Sequence, residues 1–407
     1  MLPLSMRGSS MQKRFGILVI TLLFIIGLGI FVLPQRDFSS QEKRELKTNS
    51  SIKLDETFNS TINDVLKDQF YNRDKLTNLY YNIKVKFNNV AYKGLNVLSR
   101  LKNGDNYIQA DYKYLSEDVI DLGDGYLINN VLVYDEDKAL MASQRGYNLN
   151  DAYNRHPDLK WYVYFPTKIE EILQIGDINY GLNYRQDFLR QLDENITYST
   201  LNITSVEEHK VFFYKTDFHW NGDGAYVGYS DIINMIGKDF DIGKPKAIKE
   251  RIVYDYKWKG STSSAIGQVG DYDQIIDLEL EDIGNFDYYV NGNLTEFGGA
   301  KEIYKEKGNI SDYSDYDYYF GDNSYERVFD FHDDTEPNIL IFNDSFCNVN
   351  QKWLASHFNK TVFIDLRANQ GDFNLDAYIE KYNIDIVLMT QMYKNLFFNG
   401  NLFIPLD

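Results

Sequence analysis

Two short stretches of the chain carry residue types at spacings that suit acyl chemistry. Ser345 stands in Phe342-Asn-Asp-Ser-Phe-Cys347, directly after an apolar run at 339–342. A serine at a strand-to-helix turn is exposed at the carboxyl edge of a sheet. A helix starting there points backbone N–H groups at a developing oxyanion. The same position suits a plain helix cap by Asp344 or Ser345, and position alone leaves both readings open. Asp217 and His219 stand two apart in Thr216-Asp-Phe-His-Trp220. In an extended segment their side chains share a face and Phe218 points away. A carboxylate beside an imidazole fixes its tautomer and stabilises the imidazolium, which is the second half of a serine triad. A capping or core histidine is the alternative for this motif in isolation. No second His or acidic ligand stands at helical spacing, so no metal is expected.

The other candidates are weaker. His332 lies in the acidic stretch Asp330-Phe-His-Asp-Asp334 and is a reserve base or a solvated loop residue. His156, His209 and His357 have no paired partner nearby in sequence. Cys347 is the single cysteine, which excludes an intrachain disulfide and a multi-Cys metal site. A thiol nucleophile paired with His219 is conceivable, but a small core thiol is the expected role.

The elements that must position these residues read as α/β. Trp161-Tyr-Val-Tyr-Phe165 is a buried strand closed by Pro166, and Val211-Phe-Phe-Tyr214 reads as another. A helix starts near Asn221 or Asp223 and carries Tyr226, Tyr229, Ile232, Ile233 and Ile236. The last third alternates: strand 339–342, helix 350–357, strand 361–365, helix 376–382, strand 384–389. This order implies parallel crossovers and a sheet covered on both faces, with ligands bound beyond the carboxyl ends of its strands. Residues 240–330, acidic and tyrosine-rich, read as an insertion or lid, with a short strand at 274–277 and a loop at 312–317. Residues 58–87 show an apolar stripe at helical spacing, expected to pack as core.

The N-terminus gives an address. Residues 15–33 are apolar or small without a charge, long enough to cross a bilayer once, and Arg7, Lys13 and Arg14 precede them. This predicts a cytoplasmic tail at 1–14, an uncleaved anchor at 15–33, a stalk and helical segment at 34–95, and an extracytoplasmic domain at 96–407. A cleaved signal peptide is the rival, but no small-x-small cleavage site follows. The formal charge of −18 makes nucleic acid a poor partner. The 33 tyrosines suit carbohydrate-facing surfaces, or reflect a compositional bias of the source.

Taken together, the two motifs resemble a known family. Asp217-Phe-His-Trp220 followed by Gly224-Ala-Tyr226 resembles the signature of the DHHW proteins, which are close to the alginate O-acetylation proteins of the SGNH-hydrolase superfamily. Asn343-Asp-Ser-Phe346 and the later Ile364-Asp-Leu-Arg367 resemble the serine block and its trailing Asp-x-Arg. Asp and His precede the serine, as in the alginate-type branch. The segment Asp68-Gln-Phe-x-x-Arg73 also matches anchored surface proteins of this kind. The resemblance implies an SGNH-hydrolase-like (flavodoxin-like) parallel sheet. It implies Ser345 as nucleophile, His219 as general base and Asp217 as its orienter. The implied activity is O-acetyl transfer to an exopolysaccharide or wall glycan, with no cofactor. A multi-pass membrane O-acyltransferase would supply the acetyl group. Asn343, Arg367 and Trp220 are candidates for oxyanion or substrate positioning, with a structural ion pair to Asp365 or another acid as the other reading of Arg367. Two departures stand out: Asn343 replaces the usual Gly, and Phe218 replaces the first His of the signature. An acetylesterase with the same triad, and an inert glycan-binding or scaffolding surface protein, are the alternatives.

Overall fold

The computed structural model describes residues 34–39, 44–53, 58–70, isolated positions from 17 to 87, 113–129 except 117, 135–172, 181–254, 257–267, 271–298, 316, 324–368 and 373–397. The predicted anchor at 15–33 and most of the 312–317 loop lie outside them. Among the described residues no helix is long and apolar enough to cross a membrane. The chain divides into two compact units, one formed by 1–84 with 264–269 and the other by the remainder.

In the larger unit eight strands form one sheet: β1 (Lys160–Phe165), β2 (Thr197–Thr200), β3 (Asp287–Val290), β4 (Asn293–Thr295), β5 (Glu326–Asp330), β6 (Ile339–Asn343), β7 (Lys360–Ile364) and β8 (Ile386–Thr390). Their spatial order is β4-β3-β5-β7-β6-β8-β1-β2. The five strands from β7 to β2 are parallel, while β5, β3 and β4 add on antiparallel. The structure therefore places the alternating elements of the last third as their order predicts, in a mixed sheet. Residues 240–330, expected as an insertion or lid, supply three of its strands. They also hold a separate antiparallel pair, Ile248–Val253 with Ile276–Leu280.

Both faces of the sheet are dry. Trp161, Val163, Leu340, Phe342, Val387 and Met389 pack on α1 (Glu136–Arg155) and its neighbours. Tyr162, Tyr164, Ile339, Ile341, Ile386 and Leu388 pack towards α2 (Val206–Phe212), α3 (Gly222–Ile236) and α4 (Gln351–Ala355). Continuous apolar runs buried on both sides are what a parallel sheet requires. Tyrosine is a core residue here: Tyr162, Tyr164, Tyr184, Tyr229 and Tyr393 are fully buried. At these positions its abundance serves packing.

One predicted strand is not a strand. Residues 206–212 form α2, capped by Ser205, and His209 stacks on Phe213 one turn later at 4.5 Å. The run Val-Phe-Phe-Tyr has strand composition, but the cap and the i, i+4 ring pair favour the helix. The chain then makes a short loop closed by a Phe213–Trp220 bridge before α3, whose cap is Asn221 as predicted.

In the smaller unit the expected stalk is partly folded. Phe38–Ser39 pairs with Arg44–Glu45, and Gln69 donates to the carbonyls of Arg36 and Lys47 at 2.8 and 2.9 Å. The helix Phe58–Asp68 buries Val65, yet Phe70, Leu76, Leu79, Tyr80 and Ile83 are exposed. Helical spacing puts apolar residues on one stripe without saying what covers it, so the core-packing expectation does not hold for these residues.

Candidate functional site

The carboxyl edge of β6 presents the serine. Asn343 ends the strand and Asp344 caps a tight 3-10 turn at Ser345–Val349, its Oδ1 accepting from the Phe346 N–H at 3.0 Å. Its Oδ2 accepts from the Met392 N–H at 2.8 Å and the Asn395 amide at 3.0 Å, beyond β8. Asp344 is thus the cap, which leaves Ser345 for another partner. Burial pushes the Asp344 carboxyl up against these donors and the nearby Arg367 charge. The helix predicted at 350–357 follows this turn as the shorter α4.

That partner is His219. Its Nε2 lies 2.8 Å from Ser345 Oγ, and its Nδ1 lies 2.5 Å from Asp217 Oδ1. All three residues are buried. The segment is a succession of bends, so the extended geometry in which the two side chains would share a face is not the one adopted. Asp217 reaches the imidazole because its Oδ1 also accepts the His219 backbone N–H at 2.9 Å, folding the two residues into one small ring. Burial would raise the Asp217 carboxyl, but the adjacent imidazole and the N–H donors of Ser261 and His219 outweigh it and hold it well below the ordinary range.

The imidazole is also gripped by rings. Tyr316 lies flat on it, centroids 3.9 Å apart and planes 3° from parallel, with Phe218 and Phe346 tilted nearby at 4.1 and 4.9 Å. Phe218 therefore stays beside the imidazole, while the Lys168 ammonium sits over its ring at 5.0 Å.

The other candidates take different roles. The Trp220 indole donates to the Phe346 carbonyl at 2.7 Å, tying the histidine loop to the serine turn. Asn343 turns its amide to the Asp344 carbonyl at 3.1 Å, and its buried Oδ1 finds no hydrogen-bond partner among the described residues. Arg367 clasps Asp365 at 2.6 and 2.9 Å, which is the ion-pair alternative read from the sequence. Cys347 is a buried free thiol pushed up by burial and bonded to Asn350 at 3.2 Å. His332 is exposed between Asp287 and Asp330, and His357 bonds to Tyr229 and the Ile242 carbonyl. Among the described residues no group of His, Cys, Asp or Glu could hold a metal.

Sequence reasoning missed Ser261 and Tyr316, which touch the Asp217–His219 pair from 42 and 97 positions beyond His219 by subtraction of residue numbers. Their chain distance left no local signal. It also missed Thr216 and Asp273. Asp273 accepts from the Lys215 and Thr216 N–H groups and from the Thr216 hydroxyl, at 2.7, 2.7 and 2.5 Å.

No protein-family model matches the chain, and no curated protein matches it. Solved structures do. PatB1 of Bacillus cereus, solved free and with a sulfonyl adduct, is 24% identical with a TM-score of 0.56. With the adduct, the match covers 68% of this chain and 95% of PatB1. A DHHW family protein of Eubacterium siraeum is 16% identical with a TM-score of 0.50, covering 72% of this chain and 95% of that one. These likenesses concern the fold. The chain resembles a DHHW family protein in its fold as it does in its motifs.

Proposed function

We propose that this chain is an extracytoplasmic O-acetyltransferase acting on a cell-surface or secreted polysaccharide through an acetyl-Ser345 intermediate. The hydrogen-bond chain Ser345–His219–Asp217, at 2.8 and 2.5 Å, is the observation that carries the reading. Further support comes from the motif order and from PatB1, which shares the fold and is described with a sulfonyl adduct.

In the first half-reaction His219 Nε2 takes the Ser345 proton as Oγ attacks the acetyl carbonyl of a donor ester. The Ser345 N–H makes no hydrogen bond among the described residues and is the donor we assign to the oxyanion. The C–O bond to the donor alcohol breaks, His219 returns the proton to it, and acetyl stays on Oγ. In the second half His219 deprotonates a sugar hydroxyl, which attacks the acetyl-serine. The new ester forms, the C–Oγ bond breaks, and the proton passes from His219 to Ser345. Water in place of the sugar gives hydrolysis by the same residues. Asp217, held ionised, orients the imidazole and stabilises its charged form. A membrane-bound O-acyltransferase is the proposed acetyl supplier, and the 15–33 segment the proposed anchor.

The test uses the detergent-solubilised full chain with p-nitrophenyl acetate and, separately, a sulfonyl fluoride. Nitrophenol release and a sulfonyl mass adduct on Ser345, both lost in Ser345→Ala, are expected. Acetyl appearing on an added polysaccharide marks transfer, and acetate alone marks an esterase. A parent protein indistinguishable from Ser345→Ala in both assays overturns the catalytic reading and leaves a binding or scaffolding role.

A further inference from the structure

We infer that Ser261 is a positioning residue for the reaction, a fourth member of the chain that acts through Asp217; the inference rests on the reading of Ser345 as the acyl-carrying nucleophile. Asp217 Oδ2, the oxygen turned away from the imidazole, accepts two hydrogen bonds from this one residue: from the Ser261 N–H at 2.7 Å and its hydroxyl at 2.8 Å. Oδ1 accepts two from His219, from its backbone N–H at 2.9 Å and its Nδ1 at 2.5 Å. Two donors on each oxygen fill the in-plane lone pairs of the carboxylate. Rotating it about its own bond would then break bonds on both sides at once.

The segment carrying Ser261 is docked against the histidine loop at further points. The Gly260 N–H donates to Thr216 Oγ1 at 2.9 Å, and the Ser263 N–H to the Thr216 carbonyl at 3.0 Å. A Cβ at Gly260 would lie 2.2 Å from Asp217 Cβ, so the backbone is pressed on the carboxylate as closely as glycine permits. Thr216 in turn donates to the buried Asp273. Thus residues 260–263, from the stretch that reads in the sequence as an insertion, set where the Asp217 carboxylate points. The backbone donor at 261 survives any substitution. The hydroxyl is the part that the choice of serine adds.

A misoriented carboxylate weakens the imidazolium that forms in the transition state and leaves ground-state ester binding alone. Loss of the Ser261 hydroxyl should therefore appear in kcat and not in KM.

The experiment measures p-nitrophenyl acetate turnover by the full-length parent, Ser261→Ala, Ser261→Thr, Asp217→Asn and Asp217→Asn with Ser261→Ala. Sulfonyl labelling counts competent molecules. Ser261→Ala should lose roughly ten- to a hundredfold in kcat per labelled molecule with KM unchanged, on the scale of one hydrogen bond to a charged group. Ser261→Thr should restore most of it. In the Asp217→Asn background Ser261→Ala should cost little more, because the carboxylate it serves is gone. A Ser261→Ala kcat equal to the parent's overturns the inference, as does an undiminished loss in the Asp217→Asn background. Should Ser261→Ala fail to fold, Ser261→Thr decides: a folded, labelled threonine variant near parental kcat supports the hydroxyl's role, and one reduced as far as Asp217→Asn overturns it. If the parent neither turns over ester nor labels at Ser345, the proposed function has failed instead.

Discussion

The two halves of the site are held by different means. Ser345 sits at the end of β6, a central parallel strand whose residues Ile339, Leu340 and Ile341 are completely buried. Its turn is fixed by a cap from Asp344 two bonds deep into β8's loop. His219 and Asp217 sit on a loop of bends between α2 and α3, held by side chains that return from 260–273 and by rings at 218, 316 and 346. Regular structure aims the nucleophile; a hydrogen-bonded buckle aims the base. The serine half should therefore tolerate damage to the buckle, with loss of activity preceding loss of fold.

The largest effect should come from removing the base itself. His219→Gln is expected to lower acetyl-ester turnover by about a thousandfold or more, as triad removals do, with the melting temperature little changed. Since sulfonylation also draws on the base, labelling at Ser345 should slow in parallel. A variant that keeps more than a tenth of the parental rate would mean that another group takes the proton, and the contrast between the halves would lose its chemical meaning.

Gly260→Ala attacks the buckle without touching a reacting group. The added methyl must displace either Asp217 or the 260–263 backbone, because its position lies within 2.6 Å of the Asp217 Cα and 2.5 Å of Oδ2. Overpacking of this kind costs about 1–3 kcal/mol. Here we expect it as misalignment: a loss on the order of tenfold or more in kcat, with far-ultraviolet circular dichroism unchanged. A global loss of fold would show that the buckle and the sheet are one cooperative unit.

Trp220→Phe tests the seam between the halves. Beside the His219–Ser345 contact, the indole N–H to the Phe346 carbonyl is a second direct bond from the histidine loop to the serine turn, and Gly228 leaves room for the ring, since a Cβ there would lie 2.6 Å from it. Phenylalanine keeps part of the packing and leaves a buried carbonyl without its donor, which costs about 1–3 kcal/mol. Urea denaturation should report that loss, with a smaller fall in turnover than Gly260→Ala gives.

Legibility in the sequence follows the same division. The serine half was readable because its signals are local: apolar runs of strand length, a helix at 376–382, and turn residues between them gave the β6–β7–β8 order. The Asp217-x-His219 spacing was readable as a motif, but its geometry was not. The strand expected at 211–214 is in fact the end of a helix followed by a bend, because the Ser205 cap and the His209–Phe213 stack outweigh strand composition. Ser261, Asp273 and Tyr316 act across long chain separations, where neither period nor spacing leaves a mark. Asn343 was legible as a residue of a motif and not as a partner, since its turn onto the Asp344 carbonyl depends on the folded loop, whereas the ion pair of Arg367 with Asp365 is one of the two readings the motif left open.

The smallest effect separates the buckle from the sheet by pH. Burial pushes the Asp273 carboxyl up to about 6, while an unfolded aspartate titrates near 3.9. The folded chain therefore binds a proton between these values that the unfolded chain does not, and Asp273 adds stability as pH falls from about 6 towards 4. Buried His209 acts in the opposite sense: burial holds it down at about 4, against about 6.5 when unfolded, so it removes stability over nearly the same interval. In the parent these two contributions oppose each other. Asp273→Asn removes the first and can keep an oxygen for the Lys215 and Thr216 donors. The variant's unfolding free energy, measured by urea titration at pH 6.5, 5 and 4, should fall more steeply on acidification than the parent's, by up to roughly 3 kcal/mol across the interval. Contributions from Glu171 and His357 are common to both proteins and cancel in the difference. Parallel curves would mean that Asp273 carries the same proton folded and unfolded, and that the base half is held by its hydrogen bonds without a titratable anchor.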